Sequence, residues 1–157
     1  MKFMMDIAEF LIEKSLEQNG LIINIYINGK KLSDILKEYE KQFDEKIAGK
    51  YDGIPLSYFG DIIKHFTGKI DKDMLNYNGK TQLLGCACGE AGCWPFLSKI
   101  KTNNNILTWN EYEQPHRKIN SSGGYWDYSN LQSFTFNKID YENNLLRAVE
   151  TIKMGEK

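Results

Sequence analysis

The sequence predicts an α+β protein: an antiparallel sheet with flanking helices, arranged as a single layer pair. Three observations point there. Short runs rich in β-branched and aromatic residues are bounded by Asn-Gly and similar turn signals. Asn28-Gly29, Asn78-Gly79 and Asn103-Asn104-Asn105 read as hairpin turns, and strands joined by hairpins run antiparallel. Other segments repeat apolar residues every three or four positions, the period of a half-buried helix.

Residues 5–18 carry Ile7, Phe10 and Leu11 at helical spacing, and Ala8, Ile12, Ser15 and Leu16 widen that face. The spacing predicts a helix ended by Asn19-Gly20, residues that tolerate the left-handed conformation. Leu-Ile-Ile-Asn-Ile-Tyr-Ile at 21–27 is the plainest strand. Asn28-Gly29 follows as a hairpin turn, because such turns need positive φ at both central positions. Over 33–48, Leu32, Ile35, Leu36, Tyr39, Phe43 and Ile47 mark a helix with Ser33 as N-cap and Gly49 as stop. On this helix Leu36, Tyr39 and Phe43 should pack on Ile23, Ile25 and Ile27 of the preceding strand.

A short helix over 56–65 turns Ile62, Ile63 and Phe66 inward. Asn78-Gly79 begins a second hairpin and leads into a strand over 81–84. Residues 95–101 and 106–112 are strands joined at Asn103-Asn104-Asn105, and 114–133 are turn-rich. Phe134-Thr135-Phe136 is a short strand. Asn137 caps a last helix, with Asp140 in its first turn and an inward stripe of Ile139, Leu145, Leu146, Val149 and Ile152. The tail from Met154 is expected to fray.

At 157 residues, with 41% hydrophobic and 13% aromatic residues, the chain reads as one globular domain over 1–157, large enough to bury a core without staples. A net charge of −1 gives no basic footprint for nucleic acid. No stretch approaches the roughly 20 apolar residues of a membrane span. Asp6 and Glu9 interrupt the apolar N-terminus that a signal peptide would need. The expected compartment is therefore the cytoplasm, where an odd set of three cysteines stays reduced.

All three cysteines, Cys86, Cys88 and Cys93, fall in Gly-Cys-Ala-Cys-Gly-Glu-Ala-Gly-Cys-Trp-Pro over 85–95. Zinc is one reading, with His116 completing a Cys₃His set, since structural zinc takes thiolate and imidazole ligands. Familiar zinc modules use paired Cys-x₂-Cys knuckles, and this spacing departs from them. The favoured reading is small, reduced, metal-free thiols packing a glycine turn, with no cofactor. A third reading is a nucleophilic cysteine with His116 as base and Glu90 or Asp127 orienting it. Cys-x-Cys differs from the thioredoxin-type Cys-x-x-Cys.

Gln114-Pro115-His116-Arg117 joins a rigid guanidinium fork to a titratable ring; its plain reading is a proline turn. All three tryptophans lie from Trp94 onward. Trp109, in a strand, is core. Trp126, beside Gly123-Gly124, is the surface candidate. No Gly-x-Gly-x-x-Gly, Walker loop, Gly-x-Ser-x-Gly or His-Glu-x-x-His occurs.

Gly85-Cys86-x-Cys88-Gly89-Glu90-x-Gly92-Cys93-Trp94-Pro95, then Trp109, Gln114-Pro115-His116-Arg117, Trp126-x-Tyr128, Phe134-x-Phe136 and Tyr141 resemble the motif of an uncharacterised family of small bacterial proteins. Residues 22–40 are similar to that family's opening strand and helix. The resemblance implies a bacterial origin and lends no activity. The expected function is a non-enzymatic cytoplasmic binding protein, with a toxin-neutralising immunity protein as its concrete form. The expected partner is a protein, neither nucleic acid nor membrane. Its contact residues are Glu90, Trp94, His116, Arg117 and Trp126. A small zinc protein and a Cys/His enzyme are the alternatives.

Overall fold

The computed structural model describes residues 5–15, 20–69, 76–86, 88 and 93–155. It has the α+β architecture expected, built from two antiparallel sheets with three helices. The first sheet centres on β2 (Leu21–Ile27). β3 (Lys30–Lys31) returns along it through Asn28 and Gly29, whose φ values of 53° and 83° are what the turn demands. On its other edge lies β1 (Ala8–Lys14), in unbroken register from Ala8 opposite Ile27 to Lys14 opposite Leu21.

This overturns the helix expected over 5–18; residues 16–18 of it lie outside the described residues. The same apolar residues serve either period. As a strand, Ala8 and Phe10 point into the core, while Ile7 and Leu11 point out. Seven paired residues on β2 outweigh local helical spacing, because otherwise that edge of β2 would expose its ladder.

β4 (Tyr51–Asp52) pairs with the second sheet, and β5 (Ile54–Pro55) with β2. The second sheet runs β10-β9-β8-β7-β4, with β6 (Asn76–Tyr77) on β7 (Lys80–Cys86) through the Asn78-Gly79 turn. β8 (Phe96–Asn103), β9 (Ile106–Glu113) and β10 (Phe134–Asn137) follow as the sequence predicts. β9 buries Leu107 and Trp109, then breaks phase where its register with β8 shifts. Glu111 there has φ 52°. The inserted residue turns Tyr112 and Gln114 inward instead of out, which is what a bulge does.

α1 (Leu32–Glu40) is shorter than predicted. Its cap position is Lys31, not Ser33, which is buried inside the first turn. Residues 41–49 continue as turns because the Glu40 side chain folds back to accept the Gly49 N–H (2.9 Å). The helix expected over 56–65 splits into a 3-10 turn at Leu56–Tyr58 and α2 (Ile62–Phe66), capped by Asp61. α3 (Lys138–Gly155) starts where expected, with Asn137 Oδ1 accepting the Asp140 N–H (3.0 Å). Its inward face is Tyr141, Leu145 and Ala148; Ile139 and Leu146 are exposed, contrary to the predicted stripe. The helix continues through Met154, where fraying was expected. No helix among the described residues is long and apolar enough to cross a membrane.

One hydrophobic cluster draws on both sheets and on the helices. Leu36 joins Ile23, Ile25 and Ile27 there. Tyr39 and Phe43 pack against the same cluster at its margin: Tyr39 stacks on Tyr128 (5.6 Å) and Phe43 on Trp126 (5.5 Å). Phe43 is only partly buried. Phe43→Ala should therefore cost about 2 kcal/mol, less than the 3–5 kcal/mol of a fully buried ring. Urea melts measure this; a loss under about 0.5 kcal/mol would mean the Trp126 stack contributes little to stability.

Candidate functional site

Two loops meet at one end of the second sheet, and a buried polar network holds them. Leu84 pairs with Phe96, so the chain leaving β7 and the chain entering β8 are fixed side by side. Gln114, turned inward by the bulge, donates from Nε2 to Pro95 O (3.0 Å) and to the Tyr51 hydroxyl (3.2 Å). Its Oε1 accepts the His116 N–H (3.1 Å). One side chain thus ties the Trp94-Pro95 loop to the His116-Arg117 loop. Behind it, Glu40 Oε2 accepts from Tyr51 (2.7 Å) and Tyr128 (2.5 Å). Burial raises the Glu40 carboxyl above its ordinary range, although all three of its hydrogen bonds pull the other way.

On this base sits a cluster of rings around one cation. Trp94 lies parallel to His116 (6.1 Å, 14°) and edge-on to Trp126 (5.6 Å, 87°). The Arg117 guanidinium stands 4.8 Å from the Trp94 ring and 5.7 Å from the Trp126 ring, within cation–π range of both. Gly123 borders the slot: a Cβ there would lie 2.5 Å from the guanidinium carbon, so a larger residue would displace the end of the Arg117 side chain. Arg117 donates to His116 O (2.9 Å) and makes no ion pair among the described residues.

Arg117 also lines an open cleft of about 640 Å³, together with Lys80, Glu113, Lys118, Tyr125 and Trp126. Glu113 bonds Lys80 (2.9 Å) and lies 4.0 Å from Lys118, so three cations face one carboxylate. At the rim Ile119 is 75% exposed and Tyr125 52%.

The thiols converge beside this cluster in sequence. The sulfurs of Cys86, Cys88 and Cys93 all lie within 4.8 Å of one another. The Cys88 N–H donates to Cys86 Sγ (3.3 Å). Cys86 is partly buried, while Cys88 and Cys93 are exposed and so do not fill a core, contrary to the expected packing role. Burial, and then the adjacent thiols, push the Cys86 thiol up to about 12, the reverse of an activated nucleophile. His116 stands outside this sulfur group. Asp127 accepts the N–H of Ser129 (2.9 Å), which holds its carboxyl below the ordinary range.

The structure therefore brings Trp94, His116, Arg117 and Trp126 together, as the sequence reading grouped them. Glu90 lies outside the described residues. Trp126 is not a surface anchor: it is 3% exposed, held between Phe43 and Trp94, and its neighbour Tyr125 takes the outward position. Glu40 and Tyr125 are absent from the sequence-based site. A signal for Glu40 exists, since it follows Leu32 and Leu36 at four-residue steps on the inward face of α1.

No family model matches the chain, and no curated protein or solved structure matches it.

Proposed function

We propose that the protein is a non-enzymatic, cytoplasmic binding protein that receives an acidic group of a protein partner in the Arg117 cleft. The observation that supports this most is Arg117 itself. Its guanidinium is stacked against two indoles and makes no ion pair among the described residues. A cation fixed in advance loses little freedom when a carboxylate arrives, and the fork geometry favours bidentate capture. The exposed Tyr125 and Ile119 at the rim favour a protein over a small solute, because aromatic and Arg anchors dominate protein interfaces. The concrete form of this reading is a bacterial immunity protein bound to a toxin that presents an acidic patch. With a net charge of −1, the whole chain would steer such a toxin only weakly, so local fit must carry the affinity.

The test is capture from native-host extract on immobilised wild type, Arg117→Ala and Tyr125→Ala, with circular dichroism confirming that each folds. Recovery of a partner should fall by about tenfold or more for Arg117→Ala, since hot-spot truncations cost about 2 kcal/mol or more. Equal recovery by all three proteins would rule this cleft out as the contact. Neutralisation by co-expression with the captured protein then separates an immunity protein from another binding role.

A further inference from the structure

We propose that Cys86, Cys88 and Cys93 form a three-thiolate site for a zinc(II) ion, with the fourth coordination position open. The site stands on different residues from the Arg117 cleft, so either reading can fail alone. The geometry carries it. Tetrahedral zinc with Zn–S of about 2.3 Å needs sulfurs about 3.8 Å apart. The three sulfurs already lie within 4.8 Å, so each need move by less than about 1 Å to reach a common ion.

The surroundings suit a ligand set more than a packing role. Two of the thiols face solvent, where a small hydrophobe gains nothing by clustering. The Cys88 N–H aimed at Cys86 Sγ is an outer-shell donor that stabilises charge on a ligating sulfur. The frame is also fixed in advance. Cys86 ends β7 and pairs with Tyr51, while Pro95, two residues past Cys93, is held through its carbonyl by Gln114. A metal would close a short loop whose two ends the sheet already positions. Soft thiolates select zinc or copper(I) over calcium and magnesium.

Binding is a plain exchange. One Zn²⁺ forms three Zn–S bonds, three S–H protons leave to solvent, and no electrons move; the site passes from neutral to a charge of −1. Among the described residues no fourth donor joins the sulfur group, and His116 lies against Trp94, so we assign the fourth position to water or an exogenous donor.

The experiment uses the full chain, reduced and stripped with chelator, then titrated with zinc against a chromophoric competitor at pH 7.5. Expected are one zinc per chain, close to three protons released per zinc, and the near-ultraviolet thiolate-to-metal band on cobalt(II) substitution. Cys88→Ser and Cys93→Ser alter exposed side chains and should fold; each should weaken zinc by about tenfold or more and release one proton fewer. His116→Ala should change zinc affinity by less than about threefold, as a residue outside the ligand set would. Three outcomes would overturn the proposal: no zinc taken up while a thiol assay counts three free thiols, affinity indifferent to the cysteine substitutions, or a disulfide within the trio in the native protein. A loss of about tenfold or more in His116→Ala would also overturn it, making the site a closed Cys₃His centre.

Discussion

Glu40→Ala should lower the free energy of unfolding by about 3–5 kcal/mol. Glu40 is fully buried, and its two oxygens accept from Tyr51, Tyr128 and the Gly49 N–H. Alanine leaves the Tyr51 and Tyr128 hydroxyls and the Gly49 N–H without their acceptor and opens a cavity beneath both site loops. The bond from Gln114 uses the Tyr51 oxygen as acceptor, so it does not satisfy the Tyr51 O–H. Glu40→Gln fills the volume and removes the charge, so it should cost less than alanine. The pH dependence has a definite sign. Burial raises the folded carboxyl above its unfolded value of about 4.3. Its contribution is therefore fully present below that value and is lost as pH rises through the folded one. Urea melts of the three proteins across pH 4–8 measure both effects. A Glu40→Ala loss under about 1 kcal/mol would mean the network is not held by Glu40.

The turns and most strands are legible in the sequence because their causes are local. Asn28-Gly29 and Asn78-Gly79 tolerate the positive φ that a tight hairpin turn needs, and adopt it here, so both hairpins can be read without knowing the partners. Asn137 reads as a cap for the same reason. What is illegible depends on distant chain. Ile7, Phe10 and Leu11 suit a helix until β2 is known to need an edge partner. Trp126 looks exposed beside its glycines until Phe43, far away in sequence, stacks on it. The bulge at Glu111 has no turn residue to announce it, yet it alone brings Gln114 inward to join the two loops. The grouping of Trp94, His116 and Arg117 was readable because the motifs flank one strand pair. The fit between them rests on Glu40, Tyr51 and Tyr128, which come from three separate parts of the chain.

His65 should make the protein acid-sensitive by about 3 kcal/mol between pH 7.5 and the region below pH 4. Its ring is buried edge-on to Phe59 (5.0 Å) and Phe66 (4.8 Å), and Nε2 lies 2.7 Å from Gln82 O. That contact places the neutral ring's proton on Nε2, leaving Nδ1 buried without a hydrogen-bond partner among the described residues. Charging the ring would put an N–H at Nδ1 facing no acceptor among those residues. Burial accordingly lowers the His65 pKa to about 4, although the Gln82 carbonyl pulls it upward. The unfolded value is about 6.5. A depressed value means the stability is fully present above about pH 6.5 and is lost as pH falls through 4. Glu40 acts in the opposite sense over the lower part of this range, so the raw curve mixes the two. The difference between wild type and His65→Gln isolates the histidine. At pH 7.5 wild type should be the more stable; toward pH 4 that margin should shrink by about 3 kcal/mol. Proton NMR of His116→Ala, which leaves a single histidine, gives the midpoint directly. A ring that titrates near 6.5 in the folded protein would show that His65 is solvated in solution and that acid sensitivity has another source.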